Sequence, residues 1–128
     1  MSWSFEILDG VGGVNGRIDS EVGRSPAAIL YNGWPHIFYS DSGHGNLRHA
    51  WWTGGRWMFE TLDGEGGTNG RIKADLGGGA ALVDRWNWLH VWYHQFVAGN
   101  LRHAWWDGQQ WSFETLDGDG GPNGRTAA

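Results

Sequence analysis

A seven-residue segment, Asn-Leu-Arg-His-Ala-Trp-Trp, occurs at residues 46–52 and again, unchanged, at residues 100–106. The duplication extends beyond this segment, because Trp3, Trp57 and Trp111 are also spaced 54 residues apart. Residues 3–56 and 57–110 therefore form two full repeats, and residues 111–128 begin a third. Such a duplication restricts the chain to folds in which equivalent units pack side by side.

The composition favours short strands and tight turns over helices. The 128 residues include 23 Gly and 11 Trp, and no segment shows the apolar spacing of a helix. An apolar content of 40% is enough for a packed core. The absence of Cys excludes disulfides and thiolate metal sites.

Each repeat contains four segments with the features of β-strands. The predicted strands cover residues 25–31, 35–40, 46–52 and 56–62 in the first unit, and 80–85, 88–94, 100–106 and 110–116 in the second. Asn32-Gly33 is a strong signal for a two-residue hairpin turn. Four antiparallel strands repeated at this period predict an all-β fold, a β-propeller with about two four-stranded blades per chain.

Two blades are too few to close a propeller, which has roughly four to eight. We therefore expect a homo-oligomer, either a trimer with six blades or a tetramer with eight. Residues 3–8 are a further copy of the fourth strand, and one hypothesis is that they complete a blade of a neighbouring subunit. Three fourth strands for two blades leave one copy surplus, and the sequence does not show which.

The net charge of −5 disfavours some partners. Nucleic acid requires a basic surface, so we expect no nucleic-acid binding.

No window has the roughly 20 apolar residues that span a bilayer, so no membrane insertion is expected. The first residues lack the basic and apolar regions of a signal peptide, and the compartment stays open.

The run Asn-Leu-Arg-His-Ala-Trp-Trp-x-Gly-x-x-Trp-x-Phe-Glu-Thr-Leu-Asp-Gly resembles the repeats of the PLL-type bacterial lectins, a family of seven-bladed sugar-binding propellers. It is more distantly similar to fucose-binding propeller lectins in which two-blade chains form trimers. The resemblance covers essentially the whole chain. It implies a sugar site in each cleft between adjacent blades, with glycans carrying fucose or a related monosaccharide as partners.

The third strand carries the residue types that a sugar site needs. An indole packs against the C–H face of a sugar, while Arg and His form directed hydrogen bonds with hydroxyl groups. Arg48 and Trp52 point to one face of the strand, and His49 and Trp51 point to the other. We expect one pair to pack blades together and the other to meet the ligand. With the equivalent residues and the fourth-strand tryptophans, the candidate sugar-binding residues are Arg48, His49, Trp51, Trp52, Trp57, Arg102, His103, Trp105, Trp106 and Trp111.

Structural roles compete with these assignments. Arg48 either pairs with Glu60 or an Asp, or contacts the ligand. His49 is equally compatible with a hydrogen-bonded interior position, and Trp51 and Trp52 with packing between blades. A zinc site on His90 and His94 is disfavoured, because residues four apart on a strand lie about 13 Å apart. No metal and no cofactor are predicted.

The sequence Asp-Gly-x-Gly-Gly-x-Asn-Gly-Arg occurs at residues 9–17, 63–71 and 117–125. It lacks the helix start of a phosphate loop and the acidic ligands of a calcium loop, so a turn-rich connection between blades is favoured. Such loops would place Asn15, Asn69, Arg17 and Arg71 at the rim of a cleft.

Catalysis finds little support in the sequence. Cys nucleophiles and a Gly-x-Ser-x-Gly motif are absent, and Glu60 and Asp63 fit turn positions better than an acid–base pair. The predicted function is a multivalent carbohydrate-binding lectin that is not an enzyme. The alternative is a structural or protein-interaction propeller fragment, whether natural or engineered, that binds no sugar.

Overall fold

The computed structural model describes residues 2–10, 21–64, 76–96 and 99–118. The described chain is all-β, with two four-stranded antiparallel sheets in sequential strand order. The first sheet contains β1 (Val22–Tyr31), β2 (Trp34–Asp41), β3 (Asn46–Trp52) and β4 (Trp57–Asp63). The second contains β5 (Leu76–Val83), β6 (Leu89–Gln95), β7 (Asn100–Trp106) and β8 (Trp111–Asp117). Each sheet is therefore a meander of the kind found in a propeller blade.

The predicted first and last residues of the strands agree best with the structure where Gly, Asn or Asp residues of a turn lie next to the strand. The two copies of the third strand begin and end at the predicted residues, and the fourth strands differ by one residue. A strand is present where residues 80–85 predicted one, but its bounds are wrong, because β5 begins at Leu76 and ends at Val83. The chain turns immediately afterwards, since the Asp84 carboxylate accepts hydrogen bonds from the backbone amides of Trp86 and Trp88. In the part of the chain that the structure describes, residues 3–8 do not form a strand.

Asn32 and Gly33, the two residues from which the hairpin turn was predicted, connect β1 to β2. Asn32 and Gly33 both adopt positive φ angles, 51° and 84°. Positive φ at both central positions is the requirement of a type I′ turn, whose twist matches that of the flanking strands. The equivalent connection in the second sheet is longer and runs from Asp84 to Trp88.

The structural unit is offset from the sequence repeat. The first sheet spans residues 22–63 and the second spans residues 76–117, so β4 lies in the first sheet although Trp57 opens the second sequence repeat. The partial third repeat, residues 111–128, supplies β8 and thereby completes the second sheet. Its residues 119–128 lie outside the described part of the chain, as do most of the three Gly-rich connections with Asn15, Asn69, Arg17 and Arg71.

The two sheets pack face to face, with β5 against the first three strands. Two backbone-anchored links hold them in place: the Leu76 amide donates to the Gly45 carbonyl at 3.1 Å, and the Tyr31 hydroxyl donates to the Asn87 carbonyl at 2.9 Å. Fully buried apolar side chains each contribute roughly 1.5–3 kcal/mol to such a core. The core consists of Tyr31, Phe38, Leu47, Leu62, Leu76, Leu89, Val91, Tyr93 and Ala104. No described segment is a helix long and apolar enough to cross a membrane.

Candidate functional site

A cleft of about 270 Å³ opens between the two sheets at the end where β3 finishes and β8 begins. Most of its lining is aromatic or apolar, with two imidazoles and one carboxylate among the aromatic rings. The lining residues are Tyr31, His36, His49, Trp51 and Glu60 from the first sheet and Leu89, Trp106 and Trp111 from the second.

Both faces of the third strand meet in this cleft. His49 and Trp51 reach it from β3 of the first sheet, whereas Trp106, which is the equivalent of Trp52, reaches it from β7 of the second. Which face of the third strand meets a ligand stays a prediction, because the two copies of the strand contribute different faces to this cleft. The cleft is built from the face of the first sheet that carries His49 and Trp51 and from the face of the second sheet that carries Trp106.

The wall on the first sheet is a column of parallel rings. The rings of Phe38 and His49 stack at 4.5 Å with an interplanar angle of 7°, and those of His49 and Trp51 stack at 4.5 Å with 22°. Trp111 approaches this column edge-on, with centroids 6.1 Å from Phe38 and 5.8 Å from His49. Offset and edge-to-face contacts are the favoured geometries of aromatic pairs, so these contacts stabilise the wall of the cleft.

Glu60, His49 and His36 form a chain of hydrogen bonds along the first sheet. Nδ1 of His49 lies 2.7 Å from Oε2 of Glu60, and Nε2 of His49 lies 2.9 Å from Nδ1 of His36. A carboxylate accepts only, so His49 donates from Nδ1 and accepts at Nε2, and His36 donates from its own Nδ1. Two neutral imidazoles supply the two protons that these bonds need. Nε2 of His36 is then left as a hydrogen-bond acceptor at the cleft.

Burial keeps both rings of this chain neutral at pH 7. Desolvation, with the nearby His49, lowers the pKa of His36 to about 4 despite the opposing effect of Glu60. Desolvation also lowers the pKa of His49, although its hydrogen bond to Glu60 acts in the other direction. A neutral ring is the form that the hydrogen-bond pattern requires.

The two arginines predicted to bind sugar are buried elsewhere. Nη2 of Arg48 lies 2.9 Å from Oδ2 of Asp9, and Nη2 of Arg102 lies 3.0 Å from Oδ2 of Asp63. Each arginine also donates to a threonine hydroxyl of the neighbouring fourth strand, at 3.1 Å in both sheets. Of the two roles left open for Arg48, the structure shows pairing with an Asp. Neither arginine lines the cleft.

A tyrosine completes each of these arginine–aspartate pairs. The Tyr39 hydroxyl donates to Asp9 at 2.6 Å, and the Tyr93 hydroxyl donates to Asp63. Burial raises the pKa of both tyrosines, and the carboxylate beside each raises it further. Both phenols therefore stay protonated and act as donors.

The remaining predicted residues lie on the two outer faces of the sheet pair. Trp52 and Trp57 contact each other edge-on at 5.6 Å on the first sheet, on the face away from the cleft. His103 and Trp105 stack at 4.8 Å on the outer face of the second sheet. The cleft between the sheets thus brings together His49, Trp51, Trp106 and Trp111, and does not include the other six candidates.

The second sheet repeats the imidazole chain with one more carboxylate. His103 bonds Glu114 at 2.7 Å, His90 bonds His103 at 2.9 Å, and His90 also lies 2.9 Å from Asp84. Three hydrogen bonds between two carboxylates and two rings need three ring protons, one more than two neutral imidazoles carry. In the described residues no cluster of three or more His, Asp or Glu has the geometry of a metal site.

Four lining residues, Tyr31, His36, Glu60 and Leu89, were not among the predicted site residues. His36 is detectable from strand register: β2 and β3 pair His36 with Trp51 and Phe38 with His49, which makes the two histidines diagonal neighbours on one face. Glu60 faces His49 directly in the β3–β4 pairing. No local sequence feature identifies Leu89 as a lining residue, because only the packing of the second sheet against the first brings it to the cleft.

Comparison of the chain with protein-family models, with curated proteins and with solved structures found no match.

Proposed function

We propose that the protein is a carbohydrate-binding lectin whose sugar site is the cleft between the two sheets. The observation that carries the proposal is the combination of three tryptophans with hydrogen-bond acceptors in one small cavity, at Trp51, Trp106, Trp111, His36 and Glu60. Small-ligand sites are concave and mostly apolar, with a few polar groups that fix orientation. The volume of about 270 Å³ suits a ligand of one or two sugar rings rather than a long polymer.

The indoles supply the apolar part of the recognition. Trp106 and Trp111 form a tilted pair with centroids 5.8 Å apart, opposite the parallel ring column that ends at Trp51. A pyranose has a face of C–H groups that packs well on such a surface. The hydroxyl groups around its rim remain available for directed hydrogen bonds.

The polar groups favour a neutral sugar over an acidic one. His36 presents an accepting Nε2, and the Glu60 side chain is 32% exposed. Sugar hydroxyls donate readily to both groups. A uronic or sialic acid would bring a second negative charge beside Glu60, and none of the described residues that line the cleft is an arginine or a lysine. Neutral monosaccharides such as fucose therefore fit this chemistry.

The proposal extends to a propeller architecture. Two blade-like sheets packed face to face are the element from which propellers are built, and three or four copies of the chain would give six or eight blades. Repeated weak sites in one assembly would bind a glycan-bearing surface through avidity. The resemblance of the repeats to PLL-type lectins supports the same interpretation.

Glycan-array screening with parallel retention on sugar resins tests the proposal. The wild type is expected to bind neutral glycans, and Glu60→Gln is expected to weaken binding while leaving the fold intact. Trp86→Ala is the matched control, because Trp86 is 65% exposed and lies outside the cleft. Failure of the wild type to bind any glycan would reject the lectin function in favour of a structural or protein-interaction role.

A further inference from the structure

The two sheets carry the same set of two histidines and one glutamate, and the second sheet adds an aspartate. The equivalent residues are His36, His49 and Glu60 in the first sheet and His90, His103 and Glu114 in the second. Asp84 extends the second set, because its Oδ2 lies 2.9 Å from Nε2 of His90. The residue 54 positions before Asp84 is Leu30, so the first sheet has an apolar side chain where the second has a carboxylate.

The three hydrogen bonds of the second set determine where its protons lie. Glu114 and Asp84 are carboxylates and accept, so Nδ1 of His103 and Nε2 of His90 both donate. The remaining ring nitrogens, Nδ1 of His90 and Nε2 of His103, lie 2.9 Å apart. Two neutral rings would place a lone pair on each of these facing nitrogens, and the lone pairs repel. A third proton between the two rings is therefore required.

The third proton belongs to the rings, because the carboxylates are held as anions. Oδ1 of Asp84 accepts hydrogen bonds from the backbone amides of Trp86 and Trp88, at 2.9 and 3.0 Å. Desolvation raises the pKa of Asp84, but the Trp88 amide, the His90 ring and the Trp86 amide together lower it below its usual value. The Glu114 side chain is 39% exposed, so water contributes to the solvation of its charge. Both ends of the hydrogen-bond chain therefore carry negative charge.

We infer that His90 and His103 share one imidazolium charge at neutral pH, and that this bound proton fastens Asp84, and with it the connection between β5 and β6, to the second sheet. One positive charge then lies between two carboxylates, and charge strengthens both terminal hydrogen bonds. The first sheet shows the contrasting case, since its two rings need only two protons for their two hydrogen bonds. The two histidine pairs of the chain therefore hold different numbers of protons.

The charges around the second pair favour its cationic form. Among the described residues, the carboxylates bonded to its rings come from two elements, Asp84 of the connection and Glu114 of β8. Arg102 of β7 lies on the opposite face of the sheet from His103, because successive residues of a strand alternate between faces. A negative charge close to an imidazole stabilises the protonated ring.

Two other groups near the pair can carry positive charge. The Arg85 guanidinium lies over the Trp86 ring, 4.4 Å from its centroid. His94 shares a face of β6 with His90, but residues four apart on a strand are separated by about 13 Å. The residue opposite His90 on β5 is Leu82, which is uncharged. Neither cationic group takes part in the hydrogen bonds of the pair that the structure describes.

Asp84 links the bound proton to the wall of the cleft. Its backbone amide donates to the Trp88 carbonyl and its carbonyl accepts from the Asn87 amide, both at 3.0 Å, which closes the connection. The Asn87 carbonyl accepts from the Tyr31 hydroxyl at 2.9 Å. Tyr31 lines the cleft, as does Leu89 at the end of the connection. A connection fastened by the proton therefore holds one edge of the cleft in place.

The fastening weakens as pH rises. An isolated histidine has a pKa near 6.5, so in the unfolded chain both rings are neutral well above that value. The folded pair still holds its proton there, so the folded chain binds more protons and the free energy of unfolding decreases with rising pH until the pair releases it. Without the proton, either the two rings or His90 and Asp84 face each other as acceptors only. The connection then loosens from the sheet.

Asp84→Asn tests where the third proton lies. Asparagine keeps the shape of the side chain, but its amide can donate to Nε2 of His90, so the pair needs only two protons. Asp107→Asn is the matched control. Asp107 also accepts two backbone amides, those of Gln109 and Gln110, at 2.9 and 3.0 Å, and it bonds to no histidine among the described residues.

Long-range ¹H–¹⁵N correlation spectra of the histidine rings at pH 7 count the protonated nitrogens. In the wild type and the control, the four ring nitrogens of His90 and His103 should together carry three protons. In Asp84→Asn they should carry two, as His36 and His49 do in every spectrum. A sum of two in the wild type would overturn the inference, whether or not the variant folds. An unchanged sum of three in a folded Asp84→Asn would overturn it as well.

The backbone amide signals of Trp86 and Trp88 test whether the proton fastens the connection. As pH is raised from about 7 to about 9, these signals should shift together with the His90 ring signals in the wild type and stay in place in Asp84→Asn. Amide signals that do not follow the ring titration in the wild type would contradict the fastening. Neither measurement contains sugar, so a failed lectin proposal and a failed proton assignment remain distinguishable.

Discussion

Asp63 and Arg102 lie in different sheets, 39 residues apart, and form an ion pair of 3.0 Å in which both side chains are almost fully buried. The Tyr93 hydroxyl donates to the same carboxylate oxygen. The pair joins the end of β4 to the middle of β7. It thereby links the two sheets at the end of the strands away from the cleft.

Asp63→Asn should strongly destabilise the chain. The amide keeps the shape of the side chain but removes its charge, so the buried Arg102 side chain loses its ion pair with residue 63. Breaking one partner of a buried pair costs about 3–5 kcal/mol of unfolding free energy. Urea unfolding measures the loss.

Glu21→Gln is the control for this substitution. Glu21 pairs with Arg24 at 3.2 Å, with both side chains 71% exposed, so its loss should cost under about 1 kcal/mol. Equal effects of the two substitutions would show that the Asp63–Arg102 pair does not hold the sheets together.

Stability should fall on acidification in a way that depends on His36. Its pKa is about 4 in the folded chain and about 6.5 when unfolded. Well above pH 6.5 the ring is neutral in both the folded and the unfolded state, so its protonation does not lower the free energy of unfolding. Between pH 6.5 and 4 the unfolded state takes up a proton that the folded state does not, so the free energy of unfolding decreases.

His36→Gln isolates this contribution, because glutamine does not titrate and its amide can still donate to His49. The loss of stability between pH 7 and pH 4.5 should be smaller in this variant than in the wild type. Chemical unfolding at the two pH values measures the difference. An identical loss in both proteins would mean that the buried imidazole does not drive the pH dependence.

The hydrogen-bond chain also predicts ring tautomers. His49 and His36 should both carry their proton on Nδ1 at pH 7, since Glu60 can only accept from His49. Long-range ¹H–¹⁵N correlation spectra distinguish the two tautomers directly. Protonation of either ring at Nε2 would require a different arrangement of the cleft wall.

Gly79→Ala should disrupt the edge strand of the second sheet. A Cβ at this position would overlap the backbone carbonyl oxygen of Trp92, at the irregularity in the β5–β6 pairing. Backbone cannot move aside as a flexible side chain would, so a cost of about 1–3 kcal/mol or more is expected. Thermal unfolding provides the measurement.

Gly55→Ala is the matched control, since a Cβ there meets nothing within 4 Å. It should leave the melting temperature nearly unchanged. A tolerated alanine at residue 79 would show that β5 pairs differently with β6.

The sequence predicted the strands best where the local chemistry is decisive. Asn32-Gly33 closes its hairpin as expected, and residues 46–52 and 100–106 form strands with the predicted bounds. The start of β5 was missed because Leu76-Gly77-Gly78-Gly79 resembles a loop in composition. Pairing with β6, rather than local propensity, makes those residues a strand.

The site was only partly predictable for a different reason. The alternation of β3 correctly separates His49 and Trp51 from Arg48 and Trp52. It cannot show that Arg48 is neutralised by Asp9, which lies 39 residues earlier in the chain. Nor can it show that Trp51 lines the cleft from the first sheet whereas Trp106, the equivalent of Trp52, lines it from the second. That difference depends on how the two sheets pack against each other.

A crystal structure of the chain soaked with the neutral sugar selected on the array tests directly whether the cleft between the sheets binds sugar. We expect a sugar ring packed against Trp51, Trp106 or Trp111, with a hydroxyl group bonded to Nε2 of His36 or to the Glu60 carboxylate. A sugar bound elsewhere on the chain, with this cleft empty, would contradict it.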